Sequence, residues 1–236
     1  MTDFPAWLHD LAIASLIAGG VCSITIALDL MRRPQKMWIM YLVWPLTALF
    51  GSVLWLAAYY AWGRGPEDGN FDNQPDTPFA AAVFKGASHC GAGCTLGDII
   101  VEWSAFAVPA IATWFGYGTL FGEKMFAIWI PDFIVAFMIG IVFQYFTIKP
   151  MRDLSPSQGV WQAIKADIAS ISSWQIGMYG MMAVIQFLIF APRFGGLAAV
   201  NTPEFWFVMQ IAMIAGFATA YPTNWLLVRA ELKERM

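Results

Sequence analysis

Long apolar stretches dominate this chain, and short polar segments separate them. Each stretch reaches roughly the 20 residues that an α-helix needs to cross a lipid bilayer. The pattern therefore predicts an all-α, polytopic membrane protein with about six transmembrane helices. The predicted spans are residues 7–29, 38–62, 94–115, 125–148, 169–191 and 205–228.

Composition and charge support the same class of protein. Of 236 residues, 59% are hydrophobic and 12% are charged, and the mean hydropathy is +0.60. Soluble domains carry about twice that charged fraction, so we expect the lipid bilayer to be the main partner. The net charge is −3 and the longest basic run is Arg32-Arg33, which excludes nucleic acid as a partner.

A polar segment divides the chain near residue 63. Residues 63–78 are acidic and rich in Gly and Pro, a composition typical of a surface loop. We predict an N-terminal two-helix membrane segment at 1–62, a polar surface loop at 63–79 and a four-helix membrane core at 80–236. With no apolar face to bury, the loop should be mobile and open to proteases. The stretch at 159–167 is amphipathic and should lie at the interface, and the acidic N-terminus indicates no cleaved signal peptide.

Ionisable side chains follow one another at helical spacing in the third predicted span. Cys90, Cys94, Asp98 and Glu102 occur at steps of four residues, which places them on one face of an α-helix. At a rise of 1.5 Å per residue, the first and last lie roughly 18 Å apart, so one metal ion cannot contact both. This spacing favours an entrance followed by a path over a single active centre.

The soft side chains of this face suggest a metal site. Thiolate and imidazole ligands select Cu(I) or Zn(II) over hard ions, so copper, or else zinc, is the predicted ion. We expect it to bind near the membrane surface, where the third span begins. The predicted metal ligands are His89, Cys90, Cys94, Asp98, Glu102 and, as a thioether on the fifth span, Met178.

Two other interpretations of the same segment remain open. Gly93 and Gly97 have the G-x-x-x-G spacing that lets membrane helices approach closely, so the segment could serve packing alone. Alternatively, Cys90 and Cys94 could form a redox pair, although cysteines one helical turn apart fit disulfide geometry poorly unless the helix unwinds.

Acidic residues inside a membrane are costly, and they usually face the interior of a helical bundle. Asp98, Glu102 and Asp132 fall within predicted spans. Two acids one turn apart repel when both are ionised, so we expect a bound cation or protonation of at least one acid. We predict that Asp98 and Glu102 line an interior seam. Their expected partners are Asp132, Gln144, Gln175 and Met178.

Four groups of residues occur in order from about residue 80 to the C-terminus: Ser88–Trp103, Phe143–Phe146 with Pro150–Arg152, Gln175–Gly180, and Phe205–Trp225. In these groups the chain resembles a family of bacterial membrane proteins catalogued as domain of unknown function 4396. The resemblance implies a multi-pass protein of the bacterial inner membrane with a four-helix core. It also implies that the His-Cys segment is important, and it implies no particular substrate.

Three functions fit these observations. The first is a protein that binds or transports a soft metal ion such as copper through the His-Cys-x3-Cys segment. The second is an oxidoreductase that passes electrons from a dithiol to a membrane quinone. The third is a non-catalytic subunit of a larger membrane complex, with other membrane proteins as partners.

Overall fold

The fold is a bundle of long helices. The structure is a computed structural model, and it describes residues 4–72, 76–148 and 155–233, in which every named element is helical. The elements are α1 (Ala6–Leu30), α2 (Met40–Ala58), α3 (Phe79–Ala107), α4 (Ala110–Trp114), α5 (Lys124–Ile148), α6 (Pro156–Ala183), α7 (Ala191–Phe194) and α8 (Pro203–Arg229). Short π-helical segments continue α2 (Tyr59–Gly63) and α6 (Val184–Phe190).

Several of these helices are long and apolar enough to cross a bilayer. Within the described residues the qualifying segments are Ala6–Leu30, Met40–Gly63, Lys124–Ile148, Pro156–Phe194 and Pro203–Arg229. The protein is therefore a multi-pass integral membrane protein. The bundle has two ends: the His9 end, where His9 bonds Glu204, and the Arg64 end, where Arg64 bonds Asp29.

The second apolar segment, Met40–Gly63, turns back on itself, and this corrects the second predicted span. In a straight helix Trp44 and Tyr59 would lie about 22 Å apart, but their ring centroids are 5.5 Å apart. The Trp44 ring also packs directly against Gly63. Both ends of this helical hairpin therefore lie at the Arg64 end of the bundle, and the segment does not traverse it.

The reversal occurs at two residues. Ser52 has φ 46° and ψ −128°, a left-handed backbone conformation that interrupts the helix. Gly51 precedes it, and a Cβ at that position would overlap the Trp55 ring, so only glycine fits there. The Phe50 and Trp55 rings meet across the turn at 4.9 Å. Two short helical arms thus run side by side from a tip at residues 50–52.

Hydrogen bonds hold the hairpin tip deep in the bundle. Gln210 Nε2 on α8 donates to the Leu49 carbonyl over 2.6 Å, and Ser15 Oγ on α1 donates to Gln210 Oε1 over 2.7 Å. Gly19 on α1 lies so close to the Leu49 carbonyl that a side chain there would overlap it. These contacts satisfy backbone groups that a broken helix leaves unpaired in an apolar interior.

Helix α3 occupies the centre of the bundle. It runs from Phe79 to Ala107, so the predicted span at 94–115 began and ended too late; Pro78 precedes the helix and Pro109 follows its end. Close packing against α5 is possible because a Cβ on Gly97 would stand 2.9 Å from Ala136 Cα. Enclosure by other helices explains why α3 can be more polar than its neighbours.

Two connecting segments also differ from expectation. The stretch at 159–167 belongs to α6, which begins at Pro156 behind a Ser155–Gln158 capping box, so it is not a separate interfacial element. The start of the 63–78 loop is anchored, since Arg64 bonds Asp29 and Glu67 pairs with Arg33. Residues 73–75 of that loop lie outside the described part of the chain.

Candidate functional site

One face of α3 lies in the interior of the protein. It carries a stripe of four ionisable residues, Cys90, Cys94, Asp98 and Glu102. Cys90 and Cys94 are fully buried, Asp98 is 1% exposed and Glu102 is 5% exposed. These values confirm that the two acids do not face lipid. Gly93 is the middle residue of α3, so the thiols flank the middle of the helix. The expectation that they lie at the start of a helix was wrong.

Cys90 belongs to a polar cluster that α6 and α8 complete. Its Sγ lies 2.9 Å from Asp167 Oδ1 and 2.8 Å from Ser170 Oγ. Asn224 Nδ2 on α8 donates to Ser170 Oγ over 2.7 Å. We call Cys90, Asp167, Ser170 and Asn224 the Cys90 pocket. All four side chains are buried.

A lysine after the end of α8 reaches into the Cys90 pocket. The Lys233 ammonium donates to Asn224 Oδ1 over 2.7 Å and lies 3.4 Å from Cys90 Sγ. It stands 3.5 Å from Ser170 Oγ and 3.9 Å from Asp167 Oδ1. The Lys233 side chain is fully enclosed. A positive charge therefore already sits among one sulfur and three oxygen atoms.

His89 faces away from this pocket, which corrects the predicted grouping of His89 with Cys90. Its Nε2 lies 3.0 Å from the Met40 thioether, and its Nδ1 lies 3.4 Å from Thr147 Oγ1. The reason is geometric, since adjacent residues of a helix point about 100° apart. His89 and Met40 form a separate buried pair between the hairpin and α5.

Cys94 lies between the Cys90 pocket and the carboxyl groups of α3. We call the interior region along this face of α3, from the Cys90 pocket to Glu102, the seam. The ionisable groups around it include Asp98, Cys90 and Asp132. Met178, the sixth predicted ligand, is 1% exposed and lies in the same interior core as both thiols. The three cysteines of the chain are free thiols.

Two carboxyl groups face each other one turn beyond Cys94. Asp98 on α3 and Asp132 on α5 lie within hydrogen-bonding reach of one another. Tyr179 Oη on α6 lies 3.4 Å from Asp132 Oδ2. Neither Asp98 oxygen accepts a bond from a donor in the described part of the chain. Two facing carboxyl groups with so few donors require a shared proton or a cation between them.

Glu102 forms the part of the seam nearest the His9 end. Asp132 and Lys124 are its charged neighbours. The Lys124 ammonium donates to the Ala105 carbonyl over 3.2 Å. Lys233 and Lys124 thus stand at opposite ends of the seam, with carboxyl groups, thiols and the Tyr179 phenol between them.

The two expected glutamine partners are buried without defined partners. The side-chain amides of Gln144 on α5 and Gln175 on α6 make no hydrogen bond to the described residues. Both are nearly inaccessible. Buried amides without partners are uncommon in folded proteins, so these two add further unsatisfied polar groups to the interior.

A cavity of about 190 Å³ adjoins Asp98 on the side of the hairpin tip. Its walls are mostly apolar and come from α1, the hairpin tip, α3 and α8. They include Phe50, Thr95, Asp98, Met209, Gln210 and Met213. The cavity thus lies beside Asp98, between the hairpin tip and the His9 end of the bundle.

The described residues contain no group of three His, Cys, Asp or Glu side chains placed to hold one metal ion. The polar groups are instead distributed along the seam in pairs. Such a distribution differs from a structural zinc site, which uses four ligands together.

Comparison with known proteins places the chain in one family. The model of a domain of unknown function, DUF4396, matches residues 81–233. The chain belongs to this family. The match begins at the start of α3 and ends at Lys233, so it includes the whole seam. No curated protein and no solved structure matches the chain.

Of the four members of the Cys90 pocket, only Cys90 was predicted as a site residue. Asp167 was assigned to an interfacial stretch, although its spacing of eight residues from Gln175 on one helix face was a usable signal. Asn224 follows Pro222 in the last predicted span, where a proline frees backbone carbonyls, so the sequence indicated a kink, a polar site or both. No local pattern indicated that Lys233, beyond the last span, would return to the interior.

Proposed function

We propose that this protein carries a soft monovalent cation, with copper(I) as the leading substrate, along the buried seam of α3. The observation that supports this proposal most directly is the excess of acidic groups along the seam. Four carboxyl groups, those of Asp98, Glu102, Asp132 and Asp167, lie buried together with two thiols. Burial of so many acids in a membrane bundle is costly unless cations or protons occupy the seam.

The sulfur atoms support a soft substrate. Cys90 and Cys94 lie one turn apart in the middle of α3, and thiolates select Cu(I) over hard ions. A thiol must lose its proton to ligate a metal. The carboxyl groups around both cysteines supply the nearest acceptors for that proton.

The order of groups suggests a route. A cation from the Arg64 end meets the Cys90 pocket first, then Cys94, then the Asp98–Asp132 pair and finally Glu102. Steps of about 6 Å separate successive stripe residues, so an ion can pass between neighbours without becoming fully unliganded. In this proposal the carrier lies in a bacterial inner membrane.

Metal content tests the proposal directly. Purified protein loaded with copper(I) under reducing, anaerobic conditions should retain copper, and Cys90→Ser/Cys94→Ser should lose most of it. Cys22→Ser is the matched control, because Cys22 is a buried thiol near Ser52 at the hairpin tip and outside the seam. Equal copper content in the double variant and the control would refute a thiol-based site.

Proton passage is a second candidate function, and the Asp98–Asp132 pair favours it. Facing carboxyl groups can share and exchange a proton. Liposomes that contain the protein and a pH gradient should then lose that gradient without any added metal, and Asp98→Asn should prevent the loss. A gradient that decays only when copper(I) is present would favour the metal carrier.

A further inference from the structure

The Cys90 pocket resembles a cation site that already holds a cation. The Lys233 ammonium has Asn224 Oδ1, Cys90 Sγ and Ser170 Oγ at 2.7, 3.4 and 3.5 Å. An ammonium group has three hydrogen-bond donors and no acceptor, and three neighbours match them. Asp167 Oδ1, at 3.9 Å, supplies the negative charge.

The chain bends sharply to put Lys233 there. Helix α8 ends at Arg229, and Glu231 adopts φ 57°, which non-glycine residues rarely do. The backbone N–H groups of Leu232 and Lys233 then both bond to the Leu227 carbonyl. A positive φ just beyond the last turn is a common way to close a helix C-terminus, and here it turns the chain so that the Lys233 side chain enters the interior.

The pocket also has unused binding capacity. Asp167 Oδ2 is buried and accepts no hydrogen bond from the described residues. Asp167 itself is 1% exposed, so water does not supply the missing donors at the surface. A carboxylate with one free oxygen beside a thiol is a mixed hard and soft ligand set.

We propose that Lys233 is a tethered competitor at the entrance of the seam, which a soft monovalent cation must displace from Cys90, Asp167, Ser170 and Asn224. The inference rests on the proposed function for the identity of that cation. On displacement the ammonium leaves with its proton, the metal takes the carboxylate and sulfur, and the thiol proton passes through the neighbouring carboxyl groups of the seam to solvent. One monovalent cation thereby replaces another at Asp167.

Removal of the competitor should open the site. The pocket can bind a metal only in molecules from which Lys233 has withdrawn, and the apparent affinity falls in proportion to their fraction. If Lys233 occupies the pocket in about nine molecules of ten, the affinity is about tenfold lower. Lys233→Met should therefore bind copper(I) about tenfold more tightly and should expose Cys90 to alkylation about tenfold faster. Lys233→Arg keeps the charge and should do neither.

The experiment uses two readouts on the full chain in detergent. Copper(I) affinity is measured by competition with a chromogenic copper(I) chelator. Cys90 reactivity is measured with N-ethylmaleimide in a Cys22→Ser/Cys94→Ser background. Lys165→Met is the matched control, because Lys165 is an exposed lysine over the Trp161 ring. If Lys233→Met does not fold, Lys233→Gln replaces it.

The outcomes separate the two proposals. Faster alkylation together with tighter copper(I) binding supports both. Faster alkylation with no copper(I) binding by any variant supports the role of Lys233 and contradicts the proposed function. Unchanged alkylation and unchanged or weaker affinity in a folded Lys233→Met protein would overturn the inference, because Lys233 would then only stabilise the helix end.

Discussion

Replacement of Gln210 by leucine tests how the helical hairpin is held. Gln210 joins three elements, since it donates to the Leu49 carbonyl at the hairpin tip and accepts from Ser15 on α1. Gln210 Nε2 also donates to the Ser15 carbonyl over 3.4 Å. Leucine removes all three bonds and leaves the Leu49 carbonyl unpaired in an apolar interior. The Ser15 hydroxyl can instead bond its own helix backbone, so its loss should cost little.

The expected loss of unfolding free energy comes mainly from the Leu49 carbonyl that is left without a partner. Hydrogen bonds between membrane helices contribute about 0.6 kcal/mol on average and at most about 1.7 kcal/mol, whereas a buried polar group left without a partner costs about 1–3 kcal/mol. We therefore expect Gln210→Leu to lower the free energy of unfolding by about 1–3 kcal/mol.

Gln144→Leu is the matched control. Gln144 is also a buried glutamine in a long helix, but neither amide atom bonds to the described residues. Leucine removes an unsatisfied group there, so stability should stay the same or rise. The assay is reversible unfolding of purified protein in mixed micelles as the SDS fraction increases. Equal destabilisation by both variants, or none by Gln210→Leu, would refute the hairpin contacts.

Two further predictions test the packing. Single cysteines at the exposed positions Lys36 and Asp68 should react with a membrane-impermeant maleimide from the same side of the membrane, because both ends of the hairpin lie at the Arg64 end. A cysteine at the exposed position Thr119 should react from the other side. Labelling of Lys36→Cys and Asp68→Cys from opposite sides would restore a spanning segment at 38–62. Gly97→Leu should destabilise the bundle by about 1–3 kcal/mol because its Cβ would meet Ala136. Gly20→Leu should be tolerated, since nothing lies within 4 Å of that position, and equal effects in the two unfolding titrations would argue against close contact of α3 and α5.

Part of this molecule could be predicted because periodicity reports which side chains share a helix face. Cys90, Cys94, Asp98 and Glu102 stand four residues apart, and the cost of burying acids in lipid directs that face inward. The structure bears out this placement, and it brings Asp132 to Asp98 as expected.

The hairpin could not be read from the apolar pattern. Residues 38–62 have the length and hydropathy of one span, and a fold-back of two short arms has the same composition. The reversal depends on a single backbone conformation at Ser52 and on aromatic packing between residues distant in sequence. The local signals for a break were Pro45 and the Gly51-Ser52 pair within one apolar stretch.

The Cys90 pocket escaped sequence reasoning for a different reason. Its members come from α3, α6 and α8, and Lys233 reaches them from the turn after α8, so the site depends on tertiary packing. His89 shows the converse error, because adjacency to Cys90 in sequence suggested a shared site, while the helix directs the two side chains to different neighbours.

Cation movement through liposome membranes tests the central claim most directly. Copper(I) uptake should be measured for the wild type, Glu102→Gln and Glu123→Gln, the last being an exposed acid near the same end of the bundle. If the seam is a cation route, Glu102→Gln should keep its bound copper and lose uptake, because the Cys90 pocket is intact while the last carboxylate is gone. Glu123→Gln should transport at the wild-type rate. Uptake by Glu102→Gln equal to that of the wild type would contradict the route along the seam.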